Sequence, residues 1–218
     1  MLVLGDAHAD DPANRRALLA AYDAADEEYA LQAGDLIYYD LPYETYFIAG
    51  NNEDFDVIEA LRRGDSSLTG SDRLTKTDRP HLLASSVAEI DGLRVAGLSG
   101  NYAPTRYEYA RSELAGNRRR HFTHEDVERA LSLTDVDVFV AHEAPHGLID
   151  DADYEVGNSY VDAIVEALSP ALCLVGHHHR HAESSLEDTR IVSLAPVWES
   201  YYRLDPETLA LSRHGTPA

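Results

Sequence analysis

Residues 2–8 read Leu2-Val3-Leu4-Gly5-Asp6-Ala7-His8. An apolar triplet that runs directly into a polar segment is typical of a buried strand ending at the edge of a sheet. A helix is predicted next over residues 12–24, with Asp11 as its cap and Pro12 in its first turn, and a second strand over residues 29–33. This β-α-β order predicts an α/β fold.

Further along the chain, the pattern changes from alternating strands and helices to hairpins. Asp91-Gly92 separates two apolar stretches, 87–90 and 93–98, which is a strong signal for a hairpin. Residues 64–80 are polar and predict a surface loop. The remaining predicted elements are helices over 54–63, 123–133 and 159–168, strands over 136–141 and 171–175, and a closing antiparallel meander over 191–194, 200–204 and 209–214. We therefore predict a single domain over residues 1–218, built as a four-layer double β-sandwich flanked by helices.

Length and composition exclude several classes of protein. The chain has 218 residues, and no apolar run approaches the ~20 residues that a membrane-crossing helix needs. Met1 leads almost at once into the first strand, so no signal peptide is expected. Cys173 is the only cysteine, which excludes intrachain disulfides. These features predict a cytoplasmic protein with no membrane partner.

The charge of the chain is strongly negative. Thirty-nine acidic and 18 basic residues give a formal net charge of −21, and Lys76 is the only lysine. Abundant carboxylates with almost no lysine predict a halophilic protein, because concentrated salt screens the repulsion between like charges. The charge then reflects the ionic environment and does not exclude a nucleic-acid substrate.

Five polar segments lie at the carboxyl ends of predicted apolar strands or in the loops directly after those strands. Ligands bind at this edge of an α/β sheet because the loops converge there. The candidate metal ligands in these segments are Asp6, His8, Asp35, Asn51, His142, His177 and His179. Carboxylate, imidazole and amide donors without thiolate favour Mn²⁺, Fe or Zn²⁺. Seven ligands are too many for one such ion, so the sequence predicts two divalent metal ions, with Mn²⁺ favoured.

The spacing within these segments predicts how the side chains converge. Asp6 and His8 alternate along what we expect to be an extended backbone, so both face the same side. His177 and His179 repeat this spacing. Glycines precede Asp35, Asn51 and His177, which allows the backbone to approach the site closely.

The ordered motifs Asp-x-His, Gly-Asp, Gly-Asn-x-Glu, His and Gly-His-x-His, over residues 5–179, resemble those of the calcineurin-like metallophosphoesterase family. The resemblance implies that Asp6, His8 and His179 hold one ion and that Asn51, His142 and His177 hold the other. Asp35 would bridge the two ions. It also implies in-line attack on a phosphoester by a hydroxide that bridges the ions.

Asn52 is the main departure from the family pattern. The family usually has a histidine at this position, which helps to protonate the leaving group. An amide cannot deliver a proton, so a general-acid contribution of ~10²–10⁴-fold is expected to be missing. Asp35, Asn51, Asn52 and His142 are the candidate catalytic residues, and the expected reaction is phosphodiester hydrolysis.

Shorter segments are similar to those of RNA lariat debranching enzymes. They are residues 96–100, 118–127 and 141–147. A nucleotide or nucleic acid is therefore a candidate substrate, and the oligomeric state stays open. A phosphomonoesterase acting on a small metabolite and a non-catalytic scaffold are the alternative functions.

Several other residues have two interpretations each. Arg118–Arg120, with Tyr102, Tyr107, Tyr109 and Phe122 nearby, either bind a phosphate backbone and its bases or form surface ion pairs. His146 either reaches the substrate or is solvated. Glu53 is expected to orient the turn at Asn51, and His178 to point away from the metal. The tyrosines at positions 38, 39, 43 and 46 either line the mouth of the site or pack against the following helix, and Ser99 is expected to be structural.

Overall fold

A computed structural model describes residues 1–64, 79–151 and 154–217, so most of the loop predicted over residues 64–80 lies outside the described residues. The helices are α1 (Pro12–Ala25), α2 (Phe55–Arg62), α3 (His124–Leu131) and α4 (Ser159–Leu168). The strands are β1 (Leu2–Leu4), β2 (Tyr29–Gln32), β3 (Glu44–Phe47), β4 (Pro80–Leu82), β5 (Ser86–Ile90), β6 (Leu93–Leu98), β7 (Val138–Ala141), β8 (Ile149–Asp151), β9 (Tyr154–Val156), β10 (Leu172–Val175), β11 (Ala182–Leu186), β12 (Thr189–Ser193), β13 (Ser200–Leu204) and β14 (Leu211–Gly215).

Across the described ranges, these strands form two six-stranded mixed sheets and one small hairpin. The first sheet has the order β14-β13-β1-β2-β3-β4, in which β1 to β4 run parallel. The second has the order β11-β12-β10-β7-β6-β5, in which β6, β7, β10 and β12 run parallel. The hairpin pairs β8 with β9. Parallel strands present their carboxyl ends at one edge, so each sheet has an edge suited to a binding site.

Alternation along β1 explains how the first sheet is covered on both faces. Leu2 and Leu4 belong to a buried cluster with Leu18 of α1. Val3 points to the opposite face and belongs to a cluster with Val140 of the second sheet. Successive side chains of a strand face opposite sides, so one strand contributes to both layers. The two sheets therefore pack face to face.

The outer face of the second sheet is covered by α3 and α4. Phe139 and Cys173 pack there in one cluster with Val127 of α3 and Ile164 of α4. The order helix, sheet, sheet, helix confirms the predicted four-layer α/β sandwich. Cys173 is fully buried, and burial raises the pKa of its thiol to about 12, so the thiol stays protonated near pH 7.

Most predicted helices and strands are present with bounds shifted by one or two residues. The carboxylate of Asp11 caps α1 by accepting hydrogen bonds from the N–H groups of Ala13 and Asn14. The predicted hairpin around Asp91-Gly92 is confirmed as the antiparallel pair of β5 and β6. No helix among the described residues is long and apolar enough to cross a membrane.

The predicted closing meander is wrong in part. Only β13 and β14 pair as predicted, whereas β12 lies in the second sheet, parallel to β10 and antiparallel to β11. Strands β3 and β11 were not predicted, because Glu44–Phe47 and Ala182–Leu186 carry polar residues and lack a continuous apolar run. Pairing with distant strands decides sheet membership, and local sequence does not encode it.

Candidate metal centre

The structure brings the predicted polar segments together at the carboxyl ends of β1, β2, β7 and β10 and in the loop after β3. Asp6, Asp35 and His142 lie at the buried floor, with 1% or less of their surface exposed. His8 and His179 are more accessible, with side-chain exposures of 23% and 42%. The centre is therefore closed towards the core and open on one side.

Asp6, His8 and His179 form the first group of candidate ligands. One ligand atom from each of the three lies within 4.8 Å of the others. The Nε2 atoms of His8 and His179 are 3.1 Å apart, and Oδ1 of Asp6 is 3.7 Å from Nε2 of His179. This is the trio that the family resemblance assigned to one ion.

A second group surrounds His142. Its Nε2 lies 3.1 Å from Oδ1 of Asn51, 3.5 Å from Oδ1 of Asp35 and 3.9 Å from Oδ1 of Asp6. The ring of His177 stands 4.9 Å from the ring of His142. Asn51 and His142 therefore converge at the floor, and the exposed ring of His177 stands beside them.

Asp35 lies between the two groups. Its Oδ1 is 3.5 Å from Nε2 of His142, and its Oδ2 is 3.5 Å from Nε2 of His8. Each carboxylate oxygen thus faces a different histidine. A carboxylate in this orientation can contribute one oxygen to each of two neighbouring cations.

The electrostatics of Asp6 fit a bound cation. Burial, and then the charge of Asp35, raise the pKa of Asp6 well above its usual range. Its Oδ2 accepts a hydrogen bond of 2.8 Å from the N–H of His177. Its Oδ1 is buried and has no hydrogen-bond partner among the described residues. Burying an acceptor without a donor costs free energy of folding, and a bound cation would take the place of the missing donor.

His142 gives independent evidence for a cation. Its Nδ1 lies 2.9 Å from the carbonyl oxygen of Ala33, which can only accept, so Nδ1 carries the proton. Burial lowers the pKa of His142 to about 4, which keeps the ring neutral near pH 7. Nε2 is then a lone-pair acceptor that faces Oδ1 of Asn51, another acceptor, at 3.1 Å. Two converging acceptors fit a metal ion between them.

Three glycines provide the space that this packing requires. A Cβ on Gly34 would lie 2.3 Å from Nδ1 of His142. A Cβ on Gly50 would lie 2.1 Å from Oδ1 of Asp35, and one on Gly176 would lie 2.4 Å from the carbonyl oxygen of Ala33. The predicted close approach of the backbone at these positions is therefore confirmed.

The local backbone differs from the predicted extended conformation. His8, Asp35, His177 and His179 have φ values of 43°, 55°, 70° and 51°. These residues lie in the left-handed region, which non-glycine residues adopt at a cost of about 1–3 kcal/mol and which clusters at functional sites. The side chains converge because the chain turns sharply after each strand, so the predicted alternation along an extended backbone is wrong.

Glu53 holds the loop that carries Asp35. Its buried carboxylate accepts hydrogen bonds from the N–H groups of Leu36 (2.9 Å) and Ile37 (3.0 Å) and from the hydroxyl of Tyr39 (2.6 Å). Burial raises the pKa of Glu53 to about 7. Its Oε1 also accepts a long hydrogen bond of 3.5 Å from the N–H of Gly50, next to Asn51. Glu53 therefore contacts the turn at Asn51, as expected, and also holds the loop after β2.

Arg119 and Arg120, two of the three residues of the arginine run, line a groove beside the centre. The groove has a volume of about 530 Å³, and Asn51, Asn52, Arg119 and Arg120 are among its lining residues. Arg119 also pairs with Asp56 at 2.7 Å, so the ion-pair interpretation holds for this arginine. The base-stacking interpretation is wrong for two of the aromatic residues, because Tyr107 and Phe122 are buried in the core.

Most contacts are structural for the remaining candidates, which are the tyrosines between the second and third motifs, Ser99 and His146. Tyr39 is buried against Glu53, and Tyr43 donates a hydrogen bond to the carbonyl of Tyr22, so neither lines the mouth of the site. Ser99 donates to the carbonyl of Leu83 and accepts from the N–H of Ala49, which confirms its structural role. His146 contacts Asp162 through Nδ1 at 2.5 Å.

Trp198 is a residue of the site that the sequence did not single out. It is 36% exposed, and its ring lies 5.4 Å from the ring of His179 and 6.0 Å from that of His8. It follows β12 at the same sheet edge as the ligands. Its position after an apolar strand could have indicated that Trp198 belongs to the site. A search for metal ligands misses it, because an indole does not bind metal.

Fold and site together define an α/β/β/α protein with metal-ligating side chains gathered at a common edge of two sheets. The family model of the calcineurin-like phosphoesterases matches residues 1–181, so the chain belongs to this family. Membership implies metal-dependent hydrolysis of a phosphoester at a dinuclear centre. Every candidate ligand lies within the matched range.

Individual relatives are distant. A lariat debranching enzyme of Entamoeba histolytica is 22% identical over 193 residues, which cover 76% of this chain and 52% of that enzyme. The chain thus spans about half the length of this relative. The structure of TT1561 from Thermus thermophilus has a TM-score of 0.68 at 15% identity and covers 99% of this chain and 98% of its own. GAP50, described as the anchor in the inner membrane complex of Plasmodium, has a TM-score of 0.51 at 11% identity, covering 97% of this chain and 76% of its own.

Proposed function

We propose that this chain is a phosphodiesterase that uses two divalent metal ions, and we propose Mn²⁺ as the metal. The observation that carries the proposal is the position of Asp35, whose two oxygens face His8 and His142 at 3.5 Å each. Asp6, His8 and His179 would hold one ion, and Asn51, His142 and His177 the other. Asp35 would be shared between them.

The residues of the chain provide a rigid, buried frame for this chemistry. When bound, two divalent ions activate water and neutralise charge on the phosphoryl group. His142 is held by its hydrogen bond to Ala33, and Asp35 is held by the loop that Glu53 anchors. Fixing the acceptor atoms before the ions bind lowers the entropic cost of assembling the site.

The groove beside the centre supports a diester over a monoester as the substrate. This groove leaves space for a second ester substituent, which a monoester lacks. Its walls carry both signs of charge, and they include Asn51, Asn52, Arg119 and Arg120 together with the acidic residues Asp10, Glu53, Asp54 and Asp56. Asn52 cannot deliver a proton, so the reaction must rely on a leaving group that departs without one or on another donor. The distant likeness to a lariat debranching enzyme points to a nucleotide or nucleic acid.

We also propose that residues 1–218 form one domain. The two sheets share the apolar cluster that contains Val3, Val140 and Leu174. The candidate ligands come from both sheets, so neither sheet can form the centre alone.

A substrate panel with added Mn²⁺ tests the proposed activity. It comprises bis(p-nitrophenyl) phosphate, p-nitrophenyl phosphate, cyclic nucleotides, single-stranded DNA and branched RNA. We expect hydrolysis of the bis ester to exceed that of the mono ester and to disappear with a chelator. Faster cleavage of the mono ester would instead establish the phosphomonoesterase. A protein that binds no metal tightly and cleaves no ester would be the non-catalytic scaffold.

A further inference from the structure

A second cavity lies beside the metal centre and shares His177 with it. It has a volume of about 240 Å³, and its walls include Tyr102, Glu143, Asn158 and His178. Pockets for drug-sized ligands usually measure ~300–1,000 Å³, so this cavity suits one ring system. His177 lines the cavity and also stands against His142, so a group bound here would lie next to the centre.

The carboxylate of Glu143 is fixed at the wall of this cavity. Its Oε1 accepts a hydrogen bond of 2.9 Å from the N–H of Tyr102, and its Oε2 accepts one from the side-chain amide of Asn158. The side chain of Asn101 is a third hydrogen-bond partner of this carboxylate. A carboxylate has about four lone-pair positions, so those that the three partners leave are open to a ligand. Those positions accept N–H groups and repel a phosphate. The cavity therefore suits a neutral part of the substrate that donates hydrogen bonds.

Hydrogen bonds hold the wall of the cavity in place. Asn158 caps α4 by accepting from the N–H of Tyr160 at 2.9 Å, and its own backbone N–H donates to the carbonyl of Ala144 at 3.0 Å. Gly157 approaches His146 so closely that a Cβ would lie 2.5 Å from Cα of His146. His146 is bound in turn to Asp162 of α4. The wall is thus formed before a ligand arrives.

We infer that this cavity binds the nucleobase of a nucleotide ester whose phosphate occupies the metal centre, an inference that rests on the proposed function. Glu143 accepts hydrogen bonds from N–H groups on the edge of the base, and the ring of Tyr102 lies beside the base. Guanine, adenine and cytosine carry exocyclic amino groups with two N–H donors, whereas uracil offers only its ring N3–H. The first three are therefore the preferred bases.

Binding to the Mn²⁺-loaded protein tests this inference without relying on turnover. Calorimetric titrations compare GMP, AMP, CMP, UMP and ribose 5-phosphate, and the ligand recovered afterwards is checked for hydrolysis. We expect the best amino-bearing nucleotide to bind at least about tenfold more tightly than ribose 5-phosphate, the effect of one hydrogen bond to a charged group. Equal binding of ribose 5-phosphate and all four nucleotides would overturn the inference.

Two cavity variants and one surface control test whether the tighter binding of nucleotides depends on this cavity. Glu143→Gln keeps the volume and removes the charge, and Ala144→Leu fills the cavity from its buried wall. Both should reduce the advantage of the nucleotide over ribose 5-phosphate, while Glu166→Gln on the exposed side of α4 should keep it. Melting curves and metal content identify a variant that fails to fold. If neither cavity variant differs from Glu166→Gln, the inference is wrong.

The two proposals fail in different ways. If the wild-type protein binds neither Mn²⁺ nor any phosphate, the proposed function is wrong and the inference falls with it. If it binds Mn²⁺ and cleaves bis(p-nitrophenyl) phosphate but binds all four nucleotides no more tightly than ribose 5-phosphate, only the cavity inference is wrong.

Discussion

The side-chain amide of Asn52 donates a hydrogen bond to Oδ2 of Asp35 over 2.7 Å, and the backbone N–H of Asn52 donates to Oδ1 of Asp35 over 2.8 Å. The residue that departs from the family pattern is therefore attached to the carboxylate between the two ligand groups. Together these two bonds fix the orientation of both oxygens of the Asp35 carboxylate. In the structure, Asn52 acts as a positioning residue for Asp35.

Replacing Asp35 should remove activity and leave the fold intact. Asp35→Asn keeps the volume but removes the negative charge between the two groups of ligands. Loss of partners beyond the direct ligands typically costs 10–100-fold, so the loss of a shared ligand should exceed ~10²-fold in turnover. Hydrolysis of bis(p-nitrophenyl) phosphate, bound metal and melting temperature are measured together. Asp188→Asn, in an exposed turn, is the matched control. Near-normal turnover with both ions bound would contradict the shared role of Asp35.

Gly50→Ala should weaken metal binding for a purely steric reason. The new Cβ would lie 2.1 Å from Oδ1 of Asp35, 2.6 Å from its backbone N and 2.7 Å from Cε1 of His142, so both residues must shift. We expect at least a roughly tenfold loss of Mn²⁺ affinity in an equilibrium titration. Gly215→Ala is the control, because a Cβ there would have no neighbour within 4 Å. Equal affinities in the two variants would show that the floor of the centre adapts freely.

Asn52→His should act selectively on esters with poor leaving groups. An imidazole can donate a proton to an alkyl or ribose oxygen, whereas nitrophenolate departs without one. The gain is bounded by ~10²–10⁴-fold and should be far smaller, because the new histidine lacks an orienting partner. Rates for alkyl and nitrophenyl diesters are compared with both proteins saturated with metal.

The control for this variant is Asn52→Ser, which shortens the side chain and removes the bond to Oδ2 of Asp35 without adding a proton donor. If the serine and histidine variants behave alike on both esters, residue 52 acts by positioning Asp35 alone. An equal acceleration of both esters by histidine would exclude general-acid catalysis as its cause.

Salt should stabilise the folded protein. The formal net charge of −21 makes the folded chain repel itself until counterions screen the charges. We expect the melting temperature to rise steadily from dilute buffer to molar KCl. Sucrose at matched osmolality separates screening from general exclusion effects. A melting temperature that does not change with KCl would contradict the halophilic interpretation.

The sequence determined the set of candidate ligands and much of the fold, because both depend on local properties. Apolar triplets such as Leu2–Leu4 identify buried strands without knowledge of their partners. A polar segment at the end of such a strand identifies the edge of a sheet, and its side chains limit the metals that can bind. Glycines before Asp35 and Asn51 indicated a close approach of the backbone, and the packing around His142 agrees with this.

Only the tertiary structure decided how these residues meet. The left-handed turns at His8 and His179, the bond from Asn52 to Asp35 and the placement of β12 in the second sheet all depend on contacts between distant parts of the chain. The same is true of the loop that Glu53 anchors and of the cavity beside His177. Side-chain packing and strand pairing fix such features, and no local sequence pattern carries this information.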